Sequence, residues 1–267
     1  FKSAIFYFMK KTIDVQGTKV YLNGEGKPTI IMIHGWPDTH EIWQQQVDFF
    51  KNDFTCVTFT LPGFEKGDTK KYTLDDIILR IKAIADTVSP ENKVILMVHD
   101  WGCVFGYEYA MRYPEKIEKM VAIDVGDASS PEFEKTLSVQ AKLMVFSYQI
   151  TLALGWLTKN NFIHKTMAKG LKARSNFDNI HAGMGLPYAM RWLGANGGMK
   201  SLKQIKPSFP FFYTYGLKKP FLFQTEKWME ELRSKPENKV QAFNCSHWVM
   251  VDKADEFNVA VKEWLLK

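Results

Sequence analysis

The chain has 267 residues, a length that fits one large domain or one domain that carries an insertion. Hydrophobic residues make up 46% of the chain and charged residues 24%, a globular balance that excludes a disordered, collagen-like or low-complexity protein. The net charge of +6 comes from 35 basic and 29 acidic residues without the basic stripe of a nucleic-acid-binding protein, and no repeat indicates a solenoid.

Cysteine usage and hydropathy favour a cytoplasmic protein. Cys56, Cys103 and Cys245 are odd in number and lie in or beside predicted strands, which favours buried free thiols in a reducing compartment over a disulfide framework. The longest apolar stretch, residues 143–157, is interrupted by polar residues and is shorter than the roughly 20 residues that span a bilayer. Residues 1–8 are interrupted by Lys and Ser and are too short for the apolar region of a signal peptide.

Strand-like and helical patterns alternate through the first half of the chain. A hairpin is predicted around Gln16-Gly17, within residues 12–23. Apolar strands follow at residues 29–33, 54–61, 94–98 and 120–125, and the helices between them are predicted at residues 41–50, 74–88 and 102–113. Because strands buried on both faces appear as continuous apolar runs, we predict a mostly parallel sheet flanked by helices.

A long helical stretch interrupts this alternation. Residues 128–206 are helical in pattern and almost free of strand-like runs, and the alternation resumes afterwards with segments at residues 209–215, 227–233, 240–243 and 255–266. We therefore predict one α/β core, formed by residues 1–127 and 207–267, with an inserted helical cap at residues 128–206. An insertion after a sheet strand is well placed to cover the crevice where open α/β sheets bind ligands.

The strongest chemical signal is the sequence Val-His-Asp-Trp-Gly-Cys at residues 98–103, which joins a predicted strand directly to a predicted helix. Such a nucleophile elbow exposes one side chain above the sheet with a backbone N–H beside it, and here that side chain is Asp100. An aspartate that attacks a saturated carbon becomes an ester, which water can cleave. We therefore expect a substrate whose saturated carbon bears a leaving oxygen or halide. The alternative is that Asp100 only caps the following helix.

Four motifs follow one another along the predicted core. They read His-Gly-Trp-Pro-Asp at residues 34–38, His-Asp-Trp-Gly at residues 99–102, Tyr-Glu-Tyr-Ala-Met-Arg-Tyr-Pro-Glu-Lys-Ile at residues 107–117 and Ser-His-Trp at residues 246–248. In this order they resemble the α/β-hydrolase superfamily, in the branch of epoxide hydrolases and haloalkane dehalogenases. The resemblance covers nearly the whole core and much less of the predicted cap. It implies an α/β-hydrolase fold, an Asp nucleophile, a small hydrophobic substrate and no cofactor or metal.

The same resemblance implies roles for further positions. The backbone N–H groups of Trp36 and Trp101 would form the oxyanion hole, while the alternative for Trp36 is a core residue beside a Gly-Pro turn. Trp101 also resembles the tryptophan that contacts halide in dehalogenases. His247 resembles the base that takes a proton from the attacking water. For His34 and His99 we expect local packing and hydrogen bonding.

The acid of the catalytic triad is missing from the position where the family often has it. There, after the predicted strand, the chain reads Gly-Leu-Lys-Lys-Pro at residues 216–220. Some members of the branch carry the acid after the preceding core strand, which here gives Asp124, 24 residues after Asp100. Because a buried carboxylate needs a partner, we expect Asp124 to pair with His247. Asp127 is the rival acid, and a structural role is the alternative for Asp124.

The predicted cap contains the residues that separate epoxide opening from dehalogenation. An epoxide oxygen leaves as an alkoxide and needs a hydrogen-bond donor, and related epoxide hydrolases supply two tyrosines from the cap. Tyr148 and Tyr188 resemble this pair, although tyrosine is also common as an interface residue. Val98 stands where many epoxide hydrolases have Gly, which favours a dehalogenase. Trp36 stands where many dehalogenases have Asn, which favours an epoxide hydrolase.

These observations together predict an enzyme that opens an epoxide to a vicinal diol through a covalent alkyl-aspartate ester. A haloalkane dehalogenase that uses the same Asp100, His247 and Asp124 is the first alternative. A non-catalytic relative that binds a hydrophobic ligand is the second, because the acid is absent from its usual place.

Overall fold

The structure is a computed structural model that describes residues 11–220 and 222–267. Residues 1–8, which the sequence indicates are too short for the apolar region of a signal peptide, lie outside the described residues. An eight-stranded sheet forms its centre, with the strand order β1-β2-β4-β3-β5-β6-β7-β8. Strands β1 and β2 pair antiparallel with each other, β2 pairs antiparallel with β4, and the remaining pairs are parallel. The strands are β1 (Lys11–Val15), β2 (Thr18–Asn23), β3 (Thr29–Ile33), β4 (Thr55–Phe59), β5 (Val94–His99), β6 (Ile117–Ile123), β7 (Phe211–Gly216) and β8 (Lys239–Phe243).

The central strands are buried along their whole length. Every residue of β3, β5 and β7 is buried, which is why their sequences are continuous apolar runs rather than alternating ones. The edge strand β1 is mostly exposed. The predicted mostly parallel sheet and the predicted α/β class are confirmed, as is the hairpin of β1 and β2.

Helices connect the strands. Helix α2 begins with a capping box in which Thr73 and Asp76 satisfy each other's backbone N–H groups. Helix α2 packs against α3, and α1 packs against α10. The α-helices are α1 (Gln44–Phe50), α2 (Leu74–Val88), α3 (Trp101–Arg112), α4 (Pro131–Thr136), α5 (Val139–Leu157), α6 (Asn161–Gly170), α7 (Leu186–Leu193), α8 (Glu226–Arg233), α9 (Val249–Asp252) and α10 (Ala254–Leu265). Short 3₁₀ helices lie at His40–Trp43, Pro114–Lys116, Phe177–Asn179, Ala182–Gly185 and Ala195–Gly197.

One predicted strand has different bounds in the structure, and the difference affects the site. Residues 120–125 were expected to be extended, but β6 runs from Ile117 to Ile123. Asp124 has a φ of 70°, which is outside the extended region and ends the strand. The carboxylate therefore lies just beyond the carboxyl end of β6 and not within the strand.

The chain between β6 and β7 contains α4 to α7 and no strand. We call residues 128–206 the helical segment. Helix α5 packs against both α6 and α7. None of the helices in the described parts of the chain is both long and apolar enough to cross a membrane. Cys56, Cys103 and Cys245 are free and buried, as predicted.

Candidate active site

Asp100 occupies a sharp turn between β5 and α3. Its φ is 54°, a strained conformation for a residue with a side chain. Two glycines make room for this turn. A Cβ on Gly102 would lie 2.2 Å from the backbone oxygen of Ile33, and a Cβ on Gly35 would lie 2.3 Å from Oδ1 of Asp100. The elbow can therefore pack directly against the loop that follows β3 only because both positions lack a side chain.

Replacing Gly102 by Ala should destabilise the protein by about 2 kcal/mol or more, because the added methyl group meets backbone that cannot move aside cheaply. Urea unfolding followed by circular dichroism measures the change. Gly170→Ala is the matched control, since a Cβ there meets no atom within 4 Å. Equal stability of the two variants would show that the elbow does not need Gly102.

The two carboxylate oxygens of Asp100 have different partners. The backbone N–H of Trp36 donates to Oδ1 at 2.7 Å, and Nε2 of His247 lies 3.4 Å from Oδ2. As the N-cap residue of α3, Asp100 makes no side-chain capping hydrogen bond. Burial works against ionisation, yet the hydrogen bond and charge of His247 hold the pKa of Asp100 below its ordinary value. Asp100 is thus an ionised carboxylate beside an imidazole.

His247 follows β8 and connects two carboxylates. Its Nδ1 contacts Oδ2 of Asp124, while Oδ1 of Asp124 accepts a hydrogen bond from the N–H of Gly216 at 2.8 Å. Burial alone would lower the pKa of His247, but Asp124 and Asp100 raise it to about 9. Burial opposes the charge of Asp124 as well, and the charges of Lys219 and His247 keep its pKa below the ordinary value. The imidazole of His247 therefore lies between the carboxylates of Asp124 and Asp100.

Asp127, the rival acid, has other partners. Its Oδ1 accepts from the N–H of Thr225 at 2.7 Å, and its Oδ2 accepts from the hydroxyls of Thr225 and Ser130 at 2.9 and 3.0 Å. Thr225 is the N-cap residue of α8. The Asp127 carboxylate therefore anchors the start of a helix, and Asp124 is the acid that contacts His247.

The two histidines expected to act locally do so. In His34, Nδ1 donates to the carbonyl oxygen of Gly35 at 2.9 Å and Nε2 accepts from the N–H of Leu61 at 3.0 Å. Burial lowers the pKa of His34 to about 4, so this ring is neutral. His99 contacts the backbone oxygen of His247 through Nε2 at 3.2 Å and supports the loop that carries the imidazole.

Two tyrosines of the helical segment face the elbow. The ring of Tyr188 lies edge-on to the rings of Trp101 and Trp36, with centroid distances of 5.1 and 6.0 Å. The ring of Tyr148 is 6.4 Å from that of Tyr188. Burial raises the pKa of Tyr148 to about 12 and the pKa of Tyr188 well above its ordinary value, and the negative charge of Asp100 adds to both effects. Both phenols therefore keep their protons at neutral pH.

A hydrogen-bond chain fixes the direction of the Tyr148 hydroxyl. The indole N–H of Trp192 donates to Oε1 of Gln149 at 2.8 Å, and Nε2 of Gln149 donates to the phenol oxygen of Tyr148 at 2.9 Å. An indole nitrogen can only donate, so the amide oxygen must face Trp192 and the amide NH₂ must face Tyr148. The phenol oxygen is an acceptor here, which leaves its own hydrogen available. Nothing in the sequence motifs pointed to Gln149 or Trp192.

Two apolar cavities meet at the site, and Asp100, Tyr148, Tyr188 and Phe223 line both of them. The first has a volume of about 350 Å³, with walls that include Val104, Val125, Phe133, Val145, Phe146 and Trp192. The second has a volume of about 280 Å³, with walls that include Trp36, Met144, Leu171, Pro220, His247 and Trp248. The carboxylate is therefore accessible from two apolar compartments.

The sequence motifs did not point to one charged residue of the site, Lys219. Nζ of Lys219 lies 2.6 Å from Oδ2 of Asp124, and the side chain is 7% exposed. Its only signal in the sequence is its position, because it stands in the turn after β7 where the family often has its acid.

The sequence model of the alpha/beta hydrolase fold family matches residues 28–254. The match covers most of the chain, so the chain belongs to the alpha/beta hydrolase family. The family and fold predicted from the motifs are thus confirmed.

Two curated relatives and one solved structure resemble the chain. The chain is 23% identical over 301 residues to the cis-3-alkyl-4-alkyloxetan-2-one decarboxylase of Shewanella oneidensis, covering 97% of this chain and 88% of that protein. It is 34% identical over 103 residues to epoxide hydrolase 4 of Mus musculus, covering 37% of this chain and only 28% of that protein. A solved epoxide hydrolase structure from Bacillus megaterium aligns with a TM-score of 0.72 at 22% identity, over 96% of this chain and all of that one. These likenesses support an enzyme of the epoxide hydrolase-like type.

Proposed function

We propose that the protein opens an epoxide to a vicinal diol through an alkyl ester on Asp100. The observation that carries the proposal is the environment of this carboxylate. One oxygen accepts from the N–H of Trp36, the other lies beside the imidazole of His247, and two protonated tyrosines line the cavities in front of it. This arrangement suits attack by an ionised carboxylate, stabilisation of a leaving oxygen and later hydrolysis.

We further propose that the helical segment acts as the cap of this site. It supplies Tyr148 and Tyr188 to the cavity walls. Several polar contacts join it to the core. For example, the indole N–H of Trp36 donates to Nδ1 of His164 at 3.3 Å, and the hydroxyl of Ser175 donates to the Asp38 carboxylate. A cap held in this way would exclude water from the epoxide until the ester has formed.

In the first step, a carboxylate oxygen of Asp100 attacks a ring carbon and the bond from that carbon to the ring oxygen breaks. The ring oxygen accepts hydrogen bonds from Tyr148 and Tyr188 and takes a proton from one phenol, which is later restored from solvent. Their high pKa values suit this role, because such a phenol gives up its proton only to a strongly basic alkoxide. Gln149 keeps the Tyr148 hydrogen directed away from itself.

The first step prepares the base for the second. Alkylation turns Asp100 into a neutral ester, so His247 loses one of the two anions that hold its pKa at about 9. The imidazole then releases its proton more readily and, oriented by Asp124, accepts a proton from water. The resulting hydroxide attacks the ester carbonyl, and the N–H groups of Trp36 and Trp101 stabilise the oxyanion. Collapse breaks the bond between the carbonyl carbon and the diol oxygen, and that oxygen takes the proton from His247. The carboxylic acid left on Asp100 then gives its proton to the imidazole, which regenerates the carboxylate.

Replacing His247 by Gln should block the second step and leave the first one intact. Addition of an epoxide such as styrene oxide should then increase the intact protein mass by the mass of one epoxide. Electrospray mass spectrometry measures this increase. The double variant Asp100→Asn with His247→Gln is the control and should gain no mass. If His247→Gln alone gains no mass while the wild type makes diol, the covalent route is wrong.

Ester formation and ester hydrolysis should respond differently to a fall in pH. The pKa of Asp100 lies below its ordinary value, so the carboxylate is ionised at pH 5 and alkylation continues there. His247 has a raised pKa and becomes protonated as the pH falls, so hydrolysis slows. The wild-type enzyme should therefore accumulate the ester at pH 5 and none at pH 9, as measured by rapid acid quench and mass spectrometry. Accumulation at high pH instead would contradict His247 as the base.

Removing both phenols by Tyr148→Phe and Tyr188→Phe should slow ester formation by about a hundredfold or more, because the alkoxide loses its donors. Single-turnover mass measurement in the His247→Gln background isolates this step. Tyr113→Phe, outside the cavities, is the control. An unchanged rate would favour a leaving group that needs no such donor, and release of halide from a haloalkane would then identify the dehalogenase alternative.

A second candidate substrate is a strained lactone, and the nearly full-length match to the Shewanella oneidensis oxetanone decarboxylase favours it. An oxetan-2-one, like an epoxide, is a strained oxygen ring that a carboxylate can open. Release of CO₂ from a cis-dialkyl oxetanone, without diol formation from any epoxide, would select this candidate.

Ligand binding with no turnover, unchanged by Asp100→Asn, would select the non-catalytic alternative.

A further inference from the structure

Lys219 is a buried cation whose partner is the triad acid. The side chain is 7% exposed, and its Nζ lies 2.6 Å from Oδ2 of Asp124, which is itself fully buried. Within the described part of the chain, the ammonium has no hydrogen-bond partner, so the ion pair with Asp124 is the polar contact that it makes. The ring of Phe223 covers it at 5.3 Å from the centroid. Burying an ammonium is costly unless it is paired, so the pairing with Asp124 accounts for its position.

Oδ2 of Asp124 also contacts Nδ1 of His247. One carboxylate oxygen is therefore shared by an ammonium and an imidazole, and the other oxygen accepts from the N–H of Gly216. A carboxylate held by these three partners cannot rotate without breaking a contact. When His247 is protonated, the negative charge of Asp124 interacts with two cations, the imidazolium of His247 and the ammonium of Lys219.

We propose that Lys219 is a positioning residue of the triad: its ammonium fixes the Asp124 carboxylate and weakens the hold of that carboxylate on the proton of His247. The inference rests on the proposed function, in which His247 must lose a proton before it can activate water. With two carboxylates around one imidazole and no cation beside them, the imidazole would keep its proton too tightly to act as a base near neutral pH. The lysine offsets part of that attraction.

The direction of the effect follows from the charges that surround His247 on every packed element. The negative groups are the carboxylates of Asp100 and Asp124, with Asp38 farther away behind His99, whose Nδ1 is 3.6 Å from it. The ring of His99 lies 4.5 Å from that of His247. The ammonium of Lys219 is in direct contact with this set, through Oδ2 of Asp124 at 2.6 Å. Removing a positive charge from beside the Asp124 and His247 pair must increase the affinity of that pair for its proton.

The test is an NMR titration of the His247 ring in the Asp100→Asn background, where the amide imitates the neutral ester. Lys219→Gln removes the charge and keeps a hydrogen-bond donor, and it should move the titration midpoint of His247 upward by about one pH unit. Lys219→Arg keeps the charge and should leave the midpoint near its starting value. Lys218→Gln, which changes the adjacent exposed lysine, should have no effect. The His247 signal is assigned by its loss in His247→Gln.

An unmoved midpoint in Lys219→Gln overturns the proposal, and so does an equal shift in Lys219→Arg. Circular dichroism checks that each variant folds, and Lys219→Met repeats the test with a different side-chain shape if the Gln variant does not fold. The titration needs no turnover. If His247→Gln forms no ester but the midpoint still moves, the proposed function fails and the role of Lys219 stands. If the ester forms but the midpoint does not move, the role proposed for Lys219 fails and the proposed function stands.

In the catalytic protein, Lys219→Gln should shift the pH midpoint of ester hydrolysis upward by the same amount, while the rate of ester formation stays within about twofold of the wild type. Quenched-flow mass spectrometry separates the two rates. A lysine with only a structural role would lower the folded fraction and so reduce both rates together, without moving the midpoint.

Discussion

The carboxylate of Asp124, which has no access to solvent, is the constraint on which the arrangement at the carboxyl end of the sheet depends. An ionised group can be buried only if partners replace its water, and Asp124 has three: the imidazole of His247, the ammonium of Lys219 and the N–H of Gly216. Gly216 ends β7, Lys219 lies in the turn after β7, and His247 lies in the loop after β8, while Asp124 itself follows β6. The need to satisfy one charge therefore draws three loops together at the carboxyl edge of the sheet.

The elbow at Asp100 depends on a different constraint, which is steric. Its positive φ places the carboxylate above the sheet, and the space for it exists because Gly35 and Gly102 lack side chains. The N–H of Trp36 can then reach Oδ1 of Asp100 at 2.7 Å. Electrostatic interactions thus position the imidazole of His247 and steric constraints position the carboxylate of Asp100, and the two meet where Nε2 of His247 lies 3.4 Å from Oδ2 of Asp100.

The fold alone does not determine the reaction, because related folds host many activities. The reaction class proposed here depends on a few side chains: a carboxylate rather than a hydroxyl at residue 100, and two phenols with raised pKa values in the cavities. The hydrogen bonds from Trp192 to Gln149 and from Gln149 to Tyr148 support this choice, since the phenol oxygen of Tyr148 accepts from Gln149 and its own hydrogen stays available to donate. Both cavities are apolar, which agrees with the hydrophobic substrate expected from the family resemblance.

The sequence by itself determined the order of strands and helices, the buried parallel sheet and the elbow, because each is a local pattern: a continuous apolar run, a helical period or a turn with small residues. It also named Asp100, His247 and Asp124, but it left Asp124 and Asp127 as rivals. The tertiary structure separated them, since the loop after β6 turns one carboxylate toward His247 and the other toward the start of α8. Only the structure showed Lys219 and Gln149 in the site. Their roles arise from contacts between residues far apart in the chain, 95 residues for Lys219 and Asp124 and 43 for Trp192 and Gln149, and no local pattern encodes such distances.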